Sequence, residues 1–345
     1  MLTYAMTKST NTTSKYILPG RQRGLSLIEL MISITVGLLL LAGITTLIVQ
    51  QSSARSELEK SSRQIENGRY AMDILRNDIE HAGFYSEYSP PLGSIYQRPN
   101  PCTEVDAGWD NGSFDNPDVP VPIYGYPNAT DPVPTCLPNY KSGTAVLVIR
   151  RTATEPGYAA PNDFEVSQCP TDTKPFEIVS AVGGVGTLHQ KDCTASPPGT
   201  LAIRRAYIER IYYISTCDVV DAGNACLDSI PTLKMKENGG SPVPLVEGIE
   251  NMQLDYGIDT NGDGSPDSYT ASPLAANWPD VMAVRVSLLA RNNEPTAGYQ
   301  DNKSYTLGSI TIQSGSGIPA TDVAYKRHVF SEVVRAINPS GRRAS

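Results

Sequence analysis

The chain has 345 residues, a formal net charge of −8, 28 glycines, 27 prolines and six cysteines. An acidic chain lacks the basic footprint of most nucleic-acid-binding proteins. The high Gly and Pro content favours a loop-rich, mostly β body over a helical bundle.

The first predicted element is a long apolar segment, residues 25–49, which follows a basic leader, residues 1–24. Its only charged residue is Glu29. As a helix, the segment would be about 37 Å long, enough to cross a bilayer core of about 30 Å. A secretory signal has a shorter apolar core, about 7–15 residues, followed by a small-residue cleavage site. The segment therefore predicts a retained membrane anchor.

Glu29 is the unusual residue of this anchor. A carboxylate inside a membrane segment costs about 2.5–3.5 kcal/mol even on the mildest scales, which makes it a candidate functional residue. The alternative is that Glu29 lies one turn from the membrane surface and extends into water. Its distance from the end of the segment does not decide between these two interpretations.

Arg23 and Gly24, followed by LSLIELM, resemble the N-terminal signature of the type IV pilin superfamily. The resemblance implies that a membrane-embedded prepilin peptidase cuts after Gly24 and leaves Leu25 as an N-methylated mature N-terminus. Family members more often have Phe at the Leu25 position. The resemblance also implies that Glu29 pairs with the N-terminal amine of a neighbouring subunit, which favours an assembly role over exposure to water.

An amphipathic half, residues 50–83, continues the helix. No proline interrupts residues 25–82, and Gly83 is a plausible C-terminal stop. Apolar residues at helical spacing predict the face on which the globular body packs: Leu58, Ile65, Met72, Leu75 and Ile79. The opposite, charged surface carries Arg55, Glu59, Lys60, Arg63, Arg69, Asp73, Arg76 and Asp78.

Residues 84–140 are rich in Pro and Tyr, which excludes a regular helix or a central strand. We expect an ordered loop region stapled by disulfides that either covers the sheet or contacts a partner. An even number of cysteines downstream of an export signal favours disulfides, although 15 pairings are possible. We expect sequential pairing, Cys102–Cys136, Cys169–Cys193 and Cys217–Cys226; the alternative is that some cysteines are reduced and buried.

The globular domain, residues 141–345, contains segments rich in β-branched and aromatic residues. They predict strands at 144–152, 201–216, 252–259, 281–291, 304–312 and 325–337. Apolar and polar residues alternate in several of them, which is typical of half-buried antiparallel strands. The fold class is therefore α+β and type IV pilin-like, with one long N-terminal helix packed on an antiparallel sheet with long loops.

Four segments narrow the resemblance to the PilW-type minor pilins: residues 65–84, 245–267, 278–296 and 328–338. That family resembles the J-type pseudopilins of type II secretion. The resemblance implies a low-abundance subunit that helps to nucleate a type IV pilus and lies at its tip. Implied partners are other minor pilins, the major pilin, the prepilin peptidase, the inner-membrane assembly platform and a tip adhesin. The chain would lie in the inner membrane with its body in the periplasm, and in the pilus after assembly.

The acidic loop DTNGDGSPD, residues 259–267, places oxygen ligands at alternate positions, as in the first half of an EF-hand loop. The candidate Ca²⁺ ligands are Asp259, Asn261, Asp263, the Ser265 carbonyl and Asp267. Thr270 stands where an EF-hand has its bidentate Glu, so the match is partial. The alternative is an Asx- and Gly-rich connection that needs no ion. Repulsion among three carboxylates favours Ca²⁺, the only cofactor predicted.

No catalytic motif is present: the three histidines are scattered, and no nucleophile elbow, Walker loop or dinucleotide-binding glycine pattern occurs. We therefore predict that the chain is not an enzyme. Beside the minor-pilin interpretation stands a binding or transport role, either as a pseudopilin tip that recognises secretion substrates or as a pilin that contacts DNA or a surface. The only basic clusters outside the leader are adjacent pairs, so nucleic acid is not an expected partner.

Overall fold

The structure is a computed structural model that describes residues 24, 26–91, 94–103, 109, 117–127, 131–157, 163–179, 186–193 and 199–343. Its contacts divide the chain into two compact units, Met1–Ser56 and Glu57–Ser345. The long helix α1, Leu27–His81, contributes its N-terminal part to the first unit and its C-terminal part to the second.

Sixteen strands are described, all in the second unit. They are β1 Ile95–Gln97, β2 Asp118–Pro120, β3 Ile123–Tyr126, β4 Val146–Thr152, β5 Asp163–Val166, β6 Phe176–Val179, β7 Arg204–Ser215, β8 Thr232–Glu237, β9 Val243–Glu247, β10 Ile249–Ile258, β11 Ser268–Thr270, β12 Val281–Arg291, β13 Ser304–Leu307, β14 Ile310–Ser314, β15 Gly317–Ile318 and β16 Arg327–Arg335. Two 3-10 helices, Ala275–Asp280 and Ala320–Asp322, and a short helix α2, Ile337–Arg343, complete the described elements.

Two antiparallel sheets form the body. The larger sheet has the strand order β3-β4-β7-β5-β6. Strand β8 also pairs with β7, and β9 pairs with β8. The smaller has the order β11-β10-β12-β16. Residues from α1 and from both sheets share one hydrophobic core. The predicted α+β class, a long helix on antiparallel sheet with three disulfides, is confirmed.

The two central strands of the smaller sheet differ from the prediction. We expected half-buried strands, but β10 and β12 are buried on both faces, including Asp255 at 2% exposure. The reason is a small additional sheet of β13, β14 and β15, whose residues Tyr305, Leu307 and Ile312 cluster with Leu289 of β12. This small sheet covers the face that the alternating pattern assigned to solvent.

The predicted strand at residues 304–312 is wrong as a single element. It forms the hairpin of β13 and β14, which turns at Gly308 with φ of 57°. A Cβ at Gly308 would lie 2.3 Å from Oδ2 of Asp255, so the turn also needs the space that a glycine leaves.

The apolar stripe of α1 is only partly buried. Met72, Leu75 and Ile79 lie in the core, whereas Leu58 is 71% exposed and Ile65 is 38% exposed. The buried residues of the helix are Gln64, Gly68, Ala71, Met72, Leu75, Asp78 and Ile79. The buried face therefore includes polar and small residues that a search for apolar periodicity passes over.

Gly68 lies against the smaller sheet. A Cβ at this position would lie 2.1 Å from Cε2 of Phe330 in β16. Gln64, one turn earlier, donates from Nε2 to the carbonyls of Ala290 and Lys326 at 2.7 and 2.9 Å. These two residues let the helix backbone approach the sheet more closely than a stripe of large side chains would.

The Pro- and Tyr-rich region supplies only short strands. β3 lies at the edge of the larger sheet and pairs with β4 alone, while β1 and β2 pair with each other. Disulfides join Cys102 to Cys136, Cys169 to Cys193, and Cys217 to Cys226, the sequential pairing expected from the sequence. In its described part, this region therefore adds an edge strand to the larger sheet and contains one disulfide, Cys102–Cys136.

Candidate functional site

The first candidate site is the start of α1. Gly24 is exposed. Leu25 lies outside the described residues, so the geometry of the predicted cleavage bond between Gly24 and Leu25 is not described. Helix α1 begins at Leu27, and Glu29 lies in its first turn. A carboxylate there interacts favourably with the unpaired N–H groups of the helix start.

The apolar residues that follow have no partner within the described chain. From Leu27 to Val49 the large apolar side chains are between 49% and 78% exposed. Over this stretch α1 has the length and apolar composition of a membrane-crossing helix, and its apolar segment is not buried against other described residues. Exposed apolar surface of this extent requires lipid or neighbouring helices around it.

The polar side chains within this segment are satisfied by the helix itself. Ser33 donates to the Glu29 carbonyl at 2.7 Å, and Thr46 donates to the Ala42 carbonyl at 2.6 Å. Thr35 also donates to carbonyls of the preceding turn. These hydroxyls therefore need no water in an apolar environment.

Glu29 differs from these hydroxyl residues. Among the described residues, no cation lies within ion-pair distance of its carboxylate, and no donor reaches it. In an apolar environment an unpaired carboxylate is strongly unfavourable, so the site requires a positive group from outside the described chain.

The second site, which the sequence analysis missed, fixes α1 to the larger sheet. Asp78 was assigned to the charged outer surface, but it is 1% exposed. Its Oδ1 accepts from Arg151 Nη2 at 2.9 Å and from Arg210 Nη1 at 3.0 Å, and the Tyr212 hydroxyl donates to Oδ2. Burial and the neighbouring Asp78 carboxylate both raise the pKa of Tyr212. The assignment failed because helical periodicity cannot anticipate cations supplied by β4 and β7.

A second buried charge network lies beneath β16. Arg327 donates to Glu250 at Oε1, 3.1 Å, and to Asp301 Oδ2 at 2.9 Å. Burial alone would raise the pKa of Glu250, but the hydrogen bonds from Arg327 and the charge of Lys141 outweigh burial and hold it below its usual value. This network joins β10, β16 and the loop before β13.

The adjacent basic pairs of the sequence are largely used within the body. Arg150 is fully buried and forms an ion pair with Glu209, with 2.6 Å between Arg150 Nε and Glu209 Oε2. Arg204 pairs with Glu165 at 3.1 Å, and Arg343 pairs with Asp259 at 3.3 Å. Their guanidinium groups are therefore committed to internal carboxylates rather than to an external polyanion.

The acidic loop has an internal hydrogen-bond network. Asp259 accepts from the N–H groups of Gly262 and Gly264, Asp263 accepts from the Ser265 N–H, and Asp267 accepts from the Thr260 N–H. Further contacts are those of Asn261 Nδ2 with Asp263 and Asp267, and of Arg343 with Asp259. Burial would raise the pKa of Asp259, but these N–H groups and Arg343 lower it.

As described, this loop closes through hydrogen bonds among its own residues and with Arg343. No group of three or more His, Cys, Asp or Glu side chains that could hold a metal is formed anywhere in the described residues. The hydrogen bonds match the ion-free Asx- and Gly-rich alternative. Arg343 competes with a cation for the Asp259 carboxylate.

Calcium binding nevertheless stays a prediction. If it is correct, titration of Ca²⁺ into the full chain in detergent releases heat and raises the melting temperature relative to EGTA, because the cation offsets repulsion among Asp259, Asp263 and Asp267. Replacement Arg343→Ala frees Asp259 and should strengthen the binding. Absence of heat from both proteins would contradict the prediction.

Comparisons with known protein families find similarity in two separate regions of the chain. Residues 19–45 match the prokaryotic N-terminal methylation motif, and residues 211–338 match the family Type IV Pilus-assembly protein W, PilW. No curated protein matches the chain significantly. A type IV-like pilin from Thermus thermophilus aligns over 58% of this chain and 80% of its own, with 12% identity and a TM-score of 0.25. That value carries no argument about fold or function.

The two sequence matches cover different parts of the structure. The methylation motif covers Gly24 and the exposed apolar start of α1 with Glu29. The PilW match covers the C-terminal half of the body, from β7 through β16. The chain thus carries a prokaryotic N-terminal methylation motif at residues 19–45 and a region that resembles the PilW family of type IV pilus-assembly proteins at residues 211–338.

Proposed function

We propose that this chain is a minor pilin that helps to nucleate assembly of a type IV pilus and lies at the pilus tip together with other minor pilins. It would wait in the inner membrane with its body in the periplasm and reach the cell surface in the filament. Its partners would be other minor pilins, the major pilin, the assembly platform and a tip adhesin.

The observation that carries this proposal is that Glu29, in an exposed apolar helix, has no charge partner among the described residues. A neighbouring subunit whose leader has been removed offers a free N-terminal amine, which matches the positive group that Glu29 lacks. Such an ion pair is satisfied only when the helices adopt one register, so it selects ordered packing of subunits. Exposed apolar side chains on all sides of the same helix supply the area for that packing.

The alternative is a related role, that of a pseudopilin at the tip of a secretion pseudopilus. A pseudopilin would use the same membrane anchor. Direct DNA binding has less support, because the guanidinium groups of Arg150, Arg204 and Arg343 are engaged with internal carboxylates.

The proposal predicts the N-terminus of the mature protein. Mass spectrometry of the cellular chain should find Leu25 as its first residue, N-methylated, with the leader removed after Gly24. Replacement Gly24→Ala adds a side chain next to the cleaved bond and should leave uncleaved precursor; the conservative change Ser33→Ala, beyond the motif's cleavage site, should be processed normally. An intact leader or a cut elsewhere in the wild-type chain would overturn the pilus assignment.

A further inference from the structure

Strand β16 is an unprotected edge of the smaller sheet. The other edge strands among the described residues are short, such as β11 with three residues and β13 with four, or carry a proline and a register shift, as β9 does at Pro244. β16 has nine residues, no proline, and nine consecutive pairs with β12 without a bulge. Long edges without such protection are templates for pairing with another strand.

The backbone groups that face outward from β16 can be assigned. The Ala336 N–H donates to the Met282 carbonyl at 2.8 Å, and the Asn292 N–H donates to the Lys326 carbonyl at 3.1 Å. Because bonded pairs alternate along an antiparallel ladder, even-numbered residues of β16 bond β12, and odd-numbered residues point their N–H and C=O away from it. No described residue bonds the backbone of Val329, Ser331 or Val333.

A groove between α1 and β16 lies beside this edge. One cavity of about 520 Å³ is lined by Tyr70, Met72 and Phe330. A second of about 240 Å³ is lined by Ile65 and His328, among others. Tyr70 is 57% exposed, and Ile65 is the stripe residue that the core leaves uncovered. An added strand would direct alternate side chains into these cavities.

The charge of the groove selects its occupant. Arg69 of α1 lines the larger cavity and Lys303 lines the smaller one; both are exposed, and within the described part of the chain no carboxylate pairs with either. The two carboxylates beside the larger cavity, Asp73 and Glu332, are both paired with Arg76. The groove therefore presents unpaired positive charge next to unpaired backbone groups, which complements an acidic extended segment.

We infer that β16 and the flanking face of α1 form a strand-addition site that receives an extended segment from a neighbouring pilus subunit, with apolar and acidic side chains on the face that it turns toward α1. The segment pairs with the outward N–H and C=O groups of Val329, Ser331 and Val333. Its apolar side chains enter the cavities at Tyr70 and Ile65. This inference rests on the proposed function, because it names the contact with a neighbouring subunit.

The test uses the purified full chain in detergent and a labelled peptide with Val, Tyr and Glu at alternate positions and Ser or Thr between them, so that the apolar and acidic side chains share one face of the strand. We expect saturable binding by fluorescence anisotropy. Replacement Val333→Pro removes one outward N–H without touching a bond to β12, and should weaken binding at least about tenfold. Val333→Thr keeps the N–H and should bind like wild type. A peptide with methylated backbone nitrogens, and one with Lys in place of Glu, should bind at least about tenfold more weakly.

Equal binding of the methylated peptide, or of the Val333→Pro protein, overturns strand addition at this edge. A second copy as occupant would appear as a dimer in light scattering that Val333→Pro dissociates, and this result would overturn the assignment to a different subunit. The measurement requires no filament. The peptide-binding test can therefore fail although cleavage after Gly24 and the role of Glu29 are confirmed. It can also succeed although those two predictions are wrong.

Discussion

Replacement Glu29→Ala is expected to abolish incorporation of this subunit into filaments while leaving removal of the leader intact. In the assembled state the N-terminal amine of a neighbour would lose its carboxylate partner and stay buried without compensation. Breaking a buried pair from one side costs about 3–5 kcal/mol. Incorporation is measured by quantifying the subunit in sheared filaments, and processing by mass spectrometry of the membrane fraction.

Two matched variants make this experiment specific. Glu29→Gln keeps the shape of the side chain but removes its charge, and should fail like Glu29→Ala if the charge matters. Ser33→Ala removes a hydroxyl that donates only to the Glu29 carbonyl of the same helix, and should assemble normally. Filaments that contain the Glu29→Ala subunit at wild-type level would refute the pairing role.

Replacement Asp78→Ala is expected to give the largest loss of stability in the body. It leaves Arg151 and Arg210 without the carboxylate that both contact at 2.9–3.0 Å, and it leaves the Tyr212 hydroxyl without its acceptor. Removing one partner of such a buried network costs about 3–5 kcal/mol. Chemical unfolding of the full chain in detergent, followed by near-UV circular dichroism, measures this change.

Asp73 on the same helix is the matched control. Its side chain is 73% exposed and pairs with Arg76 at 3.6 Å, so Asp73→Ala should change stability by less than about 1 kcal/mol. If Asp78→Ala lowers the free energy of unfolding no more than Asp73→Ala does, Asp78 acts as an ordinary surface charge. Asp78→Asn should fall between them, because it retains an acceptor for one guanidinium.

The predictions that depended on local pattern agree with the structure. A long helix without proline, ending before Gly83, and strands rich in β-branched residues follow from backbone preference and side-chain period. The sequence predicted β4, β7, β10, β12 and β16 to within a few residues of their ends. It missed β3, β5, β6, β8 and β9, which are four to six residues long. Such short strands are too brief to show a period of their own and form because longer neighbours provide a pairing edge.

The features at the start of the chain were predicted from the sequence alone because they depend only on the order and composition of residues along the chain. A basic leader, a glycine, an apolar segment long enough to cross a bilayer and a single carboxylate at Glu29 are properties of order and composition. No tertiary contact is needed to recognise them. The same holds for the family resemblance, which the methylation motif and the PilW match support.

Only the tertiary structure decided which residues of the second half of α1 are core. Leu58 and Ile65 belong to the apolar stripe but remain exposed, while Gln64, Gly68 and Asp78 are buried. Burial of a charge depends on cations that arrive from β4 and β7, far away in sequence, and an open strand edge depends on which strand ends the sheet. Neither is encoded within a local window, because both result from how distant segments share one core.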